Sequence, residues 1–496
     1  MGLYEAVAGM AVQLLETIST YLQLPFFRVS FLDLTVDGHL VLETILLVAI
    51  VFLMTQKSYK PDKRSLTEKE IDHLCEEWVP EPLHPPAPSQ ALARHVPVLD
   101  KAGEPWTVAD GRKMLNLASM NFLGLIGNAH VQETATAALH KYGVGSCGPR
   151  GFYGTIDVHL DLEERLAGFL GVEGCILYSY GLATVASTIP AFCKRGDLII
   201  ADEGVGWAMQ NGMTLARSTV RYFRHNDMQH LEQLLQQEVA GDHKSTKTDS
   251  RRFIAVEALY QCSGQLLPLP ELVRLKEKYK FRIIVEESLS FGVLGATGRG
   301  ISEHYGTPVT NIDIIVAAMG TSLASVGGFC CGSAKVVDHQ RLGGMGYCFS
   351  ASLPPFLASA AMAALDEMEA RPNARSLLQA NATAFREGMA AHCPALEVQG
   401  HAVSPVLLLR VSKAAGGAGG VRDGEDEPAL LQKIVDEMRE GEDVLVSVPL
   451  RSPLDICPLP AGIRVCLSAG HSQDDMLLAA KAFGRATARV LGSASS

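Results

Sequence analysis

The hydrophobic pattern begins with one long apolar run, residues 40–54 (LVLETILLVAIVFLM), in which Glu43 is the only charged residue. With its flanks the run covers about 17–18 residues, close to the shortest helix that crosses a bilayer. Acidic residues dominate before it, and basic residues follow it: Lys57, Lys60, Lys63 and Arg64. This asymmetry places the C-terminal side in the cytosol. We therefore predict a single transmembrane helix over residues 39–56; a helix of a protein core is the alternative.

The segments on either side of this run differ in character. Within residues 1–38, apolar residues recur at helical spacing: Val7, Ala11, Leu14, Leu15, Ile18, Tyr21 and Leu22. They predict an amphipathic segment that is lumenal, lies at the membrane interface, or packs on a partner. Residues 57–104 form a basic flank and a linker. The proline-rich stretch VPEPLHPPAPSQ in this linker favours an extended connection.

From about residue 105, short aliphatic segments alternate with helical patterns. Strands are predicted for GCILYSYG, DLIIADEG, RRFIAVEALY, FRIIVEES and IDIIVAAMG, and helices for MQHLEQLLQQEVA and LPELVRLKEKY. This alternation predicts an α/β domain, residues 105–350, with a mostly parallel sheet and helices on both faces. Functional groups in such a fold lie at the C-terminal ends of the strands. The strand-like pieces SPVLLLRV and AGIRVCLS predict a smaller α+β domain, residues 351–496.

Composition narrows the possible functions. The net charge of −11 argues against a nucleic-acid-binding protein, which needs a basic surface. The eleven cysteines include no C-x-x-C pair. The sequence therefore predicts no metal site, and free, mostly buried thiols in a reducing compartment.

One loop has the form of an active-site loop without a reactive residue. AAMGTSLASVGGFCCG, residues 317–332, follows an apolar strand. Its small residues fit close to a phosphate or let the backbone pass tightly: Gly320, Thr321, Ser322, Gly327 and Gly328. Such a loop in a cofactor enzyme usually presents a nucleophile, but the central residue here is Ala324.

Seven segments, in order, resemble the α-oxoamine synthase family of pyridoxal-phosphate (PLP) enzymes over about residues 105–490. They are NFLGL, GVGSCGPRGFYGTIDVHLDLEERLA, YSYGLAT, VEALYQCSGQLLPLPELVRLKEKY, VEESLSFGVLGATGRG, FSASLPP and IRVCLSAGHS. The resemblance implies a fold-type I PLP-dependent transferase and the joining of an amino acid to an acyl-CoA. KYGVGSCGPRGFYGT, ESLSFGVLG, ASVGGFCCG and GYCFSASLPP resemble a non-catalytic, membrane-anchored member that works beside a catalytic one.

The chain departs from the family at the residues that carry the chemistry. Family members hold PLP on the lysine of a Gly-Thr-x-x-Lys-Ser loop, and here that position is Ala324. The family's Asp-Glu-Ala-His-Ser, whose aspartate keeps the pyridine nitrogen protonated, is replaced by EESLS. Glu286 is one methylene longer than the aspartate, and Leu289 replaces the histidine.

Two further positions also lack the residue that carries chemistry in the family. The family histidine that stacks on the cofactor ring is replaced by Gly206 or Trp207, and a family aspartate is replaced by Ser263. Replacement of several family catalytic residues together indicates that this site does not catalyse the reaction. We therefore predict no catalytic residue in this chain.

The resemblance implies that a partner subunit holds PLP covalently, because family members are dimers with active sites at the interface. The family counterpart of FSASLPP reaches the neighbour's cofactor phosphate. Ser350 and Ser352 are therefore predicted to contact the partner's PLP as hydroxyl donors. The alternative is that they cap a helix that begins near Pro354.

Other residues are candidates for the interface or for substrate contact. Asn121 and Tyr153 are expected at the interface. Arg150 is expected to bond a neighbouring carbonyl, with an anionic substrate group in trans as the alternative. Arg464 occupies the position at which the family binds the amino acid's carboxylate. His159 is expected to be a packed, hydrogen-bonded histidine.

These expectations describe a subunit of the endoplasmic reticulum membrane that completes the active site of a catalytic partner. Small activating subunits, regulatory proteins and membrane lipids are further expected partners. Two alternatives remain open: a self-sufficient α-oxoamine synthase, and a purely regulatory protein with no place in the active site.

Overall fold

The computed structural model describes residues 28–31, 34–55, 66–81, 96–101, 105–242, 250–412, 427–449, 454–457 and 461–493. Most of the predicted amphipathic segment, the basic residues 57–64 and most of the proline-rich stretch lie outside the described residues. Contacts divide the chain into two units, Met1–Arg94 and His95–Ser496.

In the first unit, a short hairpin precedes the apolar helix. Strand β1 (Arg28–Phe31) pairs antiparallel with β2 (Leu34–Asp37), and helix α1 (Gly38–Thr55) follows directly. The large apolar side chains between Ile45 and Met54 are exposed. Within the described part of the chain, no helix combines the length and the apolar character that crossing a membrane requires. Helix α2 (Glu68–Glu77) begins with a capping box.

The second unit contains the predicted α/β fold. Its strands are β3 (Leu99–Lys101), β4 (Trp106–Ala109), β5 (Arg112–Asn116), β6 (Gly174–Tyr178), β7 (Leu198–Asp202), β8 (Thr219–Phe223), β9 (Arg252–Glu257), β10 (Arg282–Glu286), β11 (Ile314–Ala318), β12 (Gly328–Gly332), β13 (Leu396–Gln399), β14 (Val406–Val411), β15 (Val444–Leu445) and β16 (Ile463–Cys466).

Helices lie between most of these strands. They are α3 (Ala129–Tyr142), α4 (Asp157–Leu170), α5 (Gly181–Phe192), α6 (Trp207–Ala216), α7 (Met228–Asp242), α8 (Leu269–Tyr279), α9 (Ile301–Tyr305), α10 (Ala334–Gly343), α11 (Met345–Cys348), α12 (Pro355–Ala370), α13 (Asn373–His392), α14 (Glu427–Glu442) and α15 (Gln473–Ser493).

The central sheet is mostly parallel, as the sequence predicted. Its order is β6-β12-β11-β10-β9-β7-β8, and the five strands from β11 to β8 are parallel. Strand β12 is antiparallel to both of its neighbours. The loop before β12, residues 319–327, is shorter than the dozen or so residues that a parallel crossover needs. The chain therefore turns straight back along β11.

Two smaller sheets complete the unit. Strands β13, β14 and β16 form an antiparallel sheet, which confirms the strands predicted for SPVLLLRV and AGIRVCLS. Strand β15 pairs in parallel with β5 and extends the β3–β5 meander. Residues from both predicted domains thus share one sheet, and the division at residue 350 stays a prediction.

Candidate functional site

The loop that contains Ala324 is held against the residues that follow β10. The Thr321 hydroxyl donates a hydrogen bond to the carbonyl of Ser288, and the Ser322 hydroxyl donates to the carbonyl of Phe291 at 2.6 Å. Ala324 has a φ of 49°, a left-handed conformation that is strained for a residue with a Cβ atom. The two hydroxyls that the sequence suggested for a phosphate are therefore bonded within the chain.

Two buried carboxylates lie side by side at the C-terminal ends of the neighbouring strands β9 and β10. Glu257 and Glu286 are paired residues in the parallel register. Glu257 accepts hydrogen bonds from the backbone N–H groups of Gly206 and, at 3.1 Å, Gln261. Glu286 accepts from the hydroxyl of Ser288 and, at 3.0 Å, from its backbone N–H.

Burial raises the pKa of both carboxyl groups, and the charge of Glu286 raises the pKa of Glu257 further. At neutral pH the pair therefore carries less than its full negative charge. A family aspartate at the place of Glu286 would serve a pyridine nitrogen, whereas the Glu286 carboxylate is bonded to Ser288.

The next two residues support the chain rather than a ligand. Glu287 accepts from the Ser290 hydroxyl and from the backbone N–H of Ile301 at 3.1 Å, which ties the segment to the start of α9. Burial raises the pKa of Glu287 to about 7. Leu289 is buried in the hydrophobic core. An apolar side chain at this position therefore fills core space where the family has a histidine.

The two serines of FSASLPP have different surroundings. Ser352 is buried, and its hydroxyl bonds the carbonyl of Gly154 and, at 3.2 Å, that of Gly148. The hydroxyl of Ser350, which is half-buried, donates to the carbonyl of Ala351 at 3.2 Å. Helix α12 has Pro354 as its N-cap residue and no side-chain cap. The alternative in which these serines cap the helix is wrong, because their hydroxyls bond other groups.

Arg150 forms a buried ion pair inside the chain. Its Nη1 and Nη2 atoms donate to the two carboxylate oxygens of Glu163 at 2.8 and 3.1 Å, and its Nε donates to Thr155 at 3.0 Å. Glu163 also accepts from the backbone N–H of Leu177, in β6, at 2.9 Å. The expectation of a carbonyl partner for Arg150 is wrong, since a buried guanidinium pairs best with a bidentate carboxylate.

His159 is packed and hydrogen-bonded, as predicted. It is fully buried, its Nδ1 accepts from the backbone N–H of Ile156 at 3.1 Å, and its Nε2 lies 2.6 Å from the carbonyl oxygen of Leu353. Burial lowers the pKa of His159, which favours the neutral ring. The histidine therefore joins the start of α4 to FSASLPP.

The remaining candidates lie in three different settings. Tyr153 is 94% exposed, as an interface residue would be before assembly. Asn121 is buried and accepts from the backbone N–H of Leu125 at 3.0 Å. Arg464 lies on β16, and its buried Nε has no hydrogen-bond partner among the described residues.

The sequence reasoning missed Glu257, Ser288 and His225, whose side chain is 8% exposed and bonds Asp202 and Ser263. Glu257 ends a strand predicted from the sequence, so the rule that functional groups follow the strands could have found it. Ser288 follows the predicted strand β10 and carried the same signal, whereas His225 follows β8, which was not among the predicted strands.

The residues present do not fit covalently held PLP. The methyl group of Ala324 cannot bond the cofactor's aldehyde carbon. A Cβ atom at Gly206, one of the two positions predicted to correspond to the family histidine, would lie 2.8 Å from an oxygen of Glu257. The space beside the strand ends is therefore partly taken by the chain's own carboxylate.

Comparison with known proteins defines the class. Residues 112–483 match the family model described as aminotransferase class I and II. A solved structure of SPT with a PLP internal aldimine has a TM-score of 0.70 at 24% identity, and the match covers 80% of this chain and 93% of that one. The chain belongs to the aminotransferase class I and II family and has its fold.

Closer relatives place the chain within this class. Long chain base biosynthesis protein 1b of Oryza sativa is 50% identical over 98% of this chain and 99% of its own length. Serine palmitoyltransferase 1 of Dictyostelium discoideum is 39% identical over 95% of this chain and 98% of its own length. The chain thus belongs with the proteins named long chain base biosynthesis protein 1 or serine palmitoyltransferase 1.

Proposed function

We propose that this chain is the non-catalytic subunit of serine palmitoyltransferase. That enzyme condenses L-serine with palmitoyl-CoA to 3-oxosphinganine, the first step of sphingolipid synthesis. A catalytic long-chain base subunit (2 or 3) holds PLP covalently, and this chain stabilises it and completes the active site at their interface. The observation that carries the proposal is Ala324, in a family loop that keeps its fold through its own hydrogen bonds.

Exposed apolar side chains support contact with a partner subunit. The loop at residues 143–155 contacts FSASLPP, since the backbone N–H of Ser352 donates to the carbonyl of Gly148 at 2.9 Å. Large apolar side chains are exposed on the segments around this contact: Val144, Phe152, Tyr153, Leu342, Met345 and Phe349. Leaving so many in water is unfavourable, so burial against a second subunit stabilises the pair.

In the shared active site, this chain would contribute a hydroxyl group that contacts the partner's cofactor. The hydroxyl of Ser350 donates to an adjacent carbonyl at 3.2 Å, whereas that of Ser352 is buried between two carbonyls. Ser350 is therefore the better placed to turn toward the partner's cofactor. Where PLP is bound, on the partner, it supplies the electron sink of the reaction.

The proposal places the enzyme at the endoplasmic reticulum membrane, with the catalytic fold in the cytosol. The exposed apolar side chains of α1 and the basic residues after it favour attachment to a bilayer. A membrane position suits a substrate whose acyl tail gains about 0.8 kcal/mol per buried CH₂. Small activating subunits, Orm-family regulators and membrane lipids are the further partners of this proposal.

Borohydride trapping tests the central claim. The purified chain, alone and as the complex with its catalytic partner, is incubated with PLP, reduced, and digested for mass spectrometry. We expect pyridoxyl-lysine on the partner and none on this chain. A pyridoxyl-lysine peptide from this chain, with product formed by the chain alone, would instead show a self-sufficient α-oxoamine synthase.

One observation favours the purely regulatory alternative: Ser352, half of the predicted trans contact, is bonded within the chain. Ser350→Ala in the assembled enzyme separates the two. If this chain completes the active site, the variant raises the KM for serine or lowers kcat. Unchanged kinetics in a fully assembled variant would favour a regulatory chain.

A further inference from the structure

Three side chains from different segments form a hydrogen-bonded series beside the carboxylate pair. Nδ1 of His225 lies 2.8 Å from Oδ1 of Asp202, and Nε2 lies 2.7 Å from Oγ of Ser263. Asp202 ends β7, His225 follows β8, and Ser263 follows β9. Because these strands are parallel neighbours in the order β9-β7-β8, the three residues meet at one edge of the sheet.

The partners of Asp202 define the direction of each hydrogen bond. Its carboxylate also accepts from the backbone N–H groups of Gly204 at 2.7 Å and Asn226 at 2.8 Å. A carboxylate that collects donors in this way takes its third hydrogen bond from Nδ1–H of His225. Nε2 is then the acceptor, and the Ser263 hydroxyl donates its proton to it.

The surroundings hold the imidazole and the serine in place. The Tyr260 ring packs edge-on against His225, with centroids 4.6 Å apart. The turn that carries Ser263 is closed by a hydrogen bond from the backbone N–H of Gly264 to the carbonyl of Tyr260 at 2.7 Å.

We propose that Ser263 is a nucleophile toward activated acyl groups, with His225 as its general base and Asp202 as the carboxylate that orients the imidazole. Oγ of Ser263 bonds the carbonyl carbon of an ester or thioester, and its proton passes to Nε2. The bond to the leaving oxygen or sulfur then breaks, and the leaving group takes that proton. Water, deprotonated by the same imidazole, then bonds the acyl carbon; the bond from that carbon to Oγ breaks, the acid leaves, and Oγ takes the proton back from Nε2. This activity goes beyond the proposed function and requires neither PLP nor a lysine.

The burial of Ser263 limits the rate and the size of the acyl group. The residue is 6% exposed, although Gln261 and Gln265 on either side are exposed. We therefore expect slow reaction with small or extended reagents. If Asp202, His225 and Ser263 only hold three segments together, substituting one of them would lower the stability of the fold, and Ser263 would form no covalent product.

Covalent labelling decides between these roles. The full-length chain, co-purified with its catalytic partner, is treated with a fluorophosphonate probe, and the labelled peptide is located by mass spectrometry. We expect an adduct on Ser263, reduced at least tenfold in His225→Gln and Asp202→Asn. Ser302→Ala, which removes an equally buried serine hydroxyl outside the series, should leave the adduct unchanged.

The wild-type protein is sufficient to overturn the proposal. Absence of an adduct on Ser263 at saturating probe would refute it without any variant. Equal labelling of Ser263 in a folded His225→Gln protein would also refute it, since the serine would then react without its base. Borohydride trapping is independent of both outcomes, so failure here leaves the proposed function to be judged separately.

Discussion

Arg150→Met tests whether the buried Arg150–Glu163 pair supports the fold. The substitution keeps most of the side-chain volume but leaves Glu163 without its cation, with both side chains less than a tenth exposed. Breaking a buried pair by removing one partner costs about 3–5 kcal/mol. We therefore expect the free energy of unfolding, measured by urea denaturation, to fall by that amount.

A second substitution and a surface control isolate the cause. In Arg150→Met/Glu163→Gln the glutamine still accepts from the Leu177 N–H, but no uncompensated charge is buried. We expect the double variant to lose less stability than the single one. Arg165→Met removes an exposed pair with Asp366 and Glu369 and should cost at most about 1 kcal/mol.

The reasoning would be refuted by either of two results. One is a loss below about 1 kcal/mol in Arg150→Met, the range of an exposed ion pair. The other is a double variant no more stable than the single one. A stable Arg150→Met protein whose assembled enzyme has a higher KM for serine would assign Arg150 to substrate contact in trans.

Two further substitutions test the buried carboxylates. Gly206→Ala places a Cβ atom 2.8 Å from an oxygen of Glu257, so we expect a loss of about 1–3 kcal/mol by denaturation. Gly145→Ala, with no atom within 4 Å of its Cβ, should change stability by less than about 0.5 kcal/mol; equal losses would contradict the contact. The pKa of Glu287 is raised to about 7, so its stabilising contribution is complete below its unfolded pKa, near 4.3, and is lost as the pH rises through 7. Glu287→Gln removes this loss, and the variant should gain stability relative to wild type between pH 5 and 8; a constant difference across that range would contradict the raised pKa.

The local sequence pattern was sufficient to predict elements whose structure depends on their own residues. The aliphatic runs that became β7, β9 and β10 are buried on both faces, so an unbroken apolar sequence identifies them. The alanine at position 324, which has no amine to form a Schiff base, can likewise be read from the sequence alone. By contrast, the antiparallel β12 followed from the length of one loop and from pairing with β6, which no window of residues contains.

The sequence by itself determined the alternation of strands and helices, the apolar run near the N-terminus, and the chemistry that position 324 cannot perform. Only the tertiary structure decided the partners of the polar groups. Ser352 bonds carbonyls about two hundred residues away, Arg150 meets Glu163, and Glu257 lies beside Glu286 because β9 and β10 pair in register. A side chain's type states what it can bond, whereas burial and the packing of distant segments select which bond it makes.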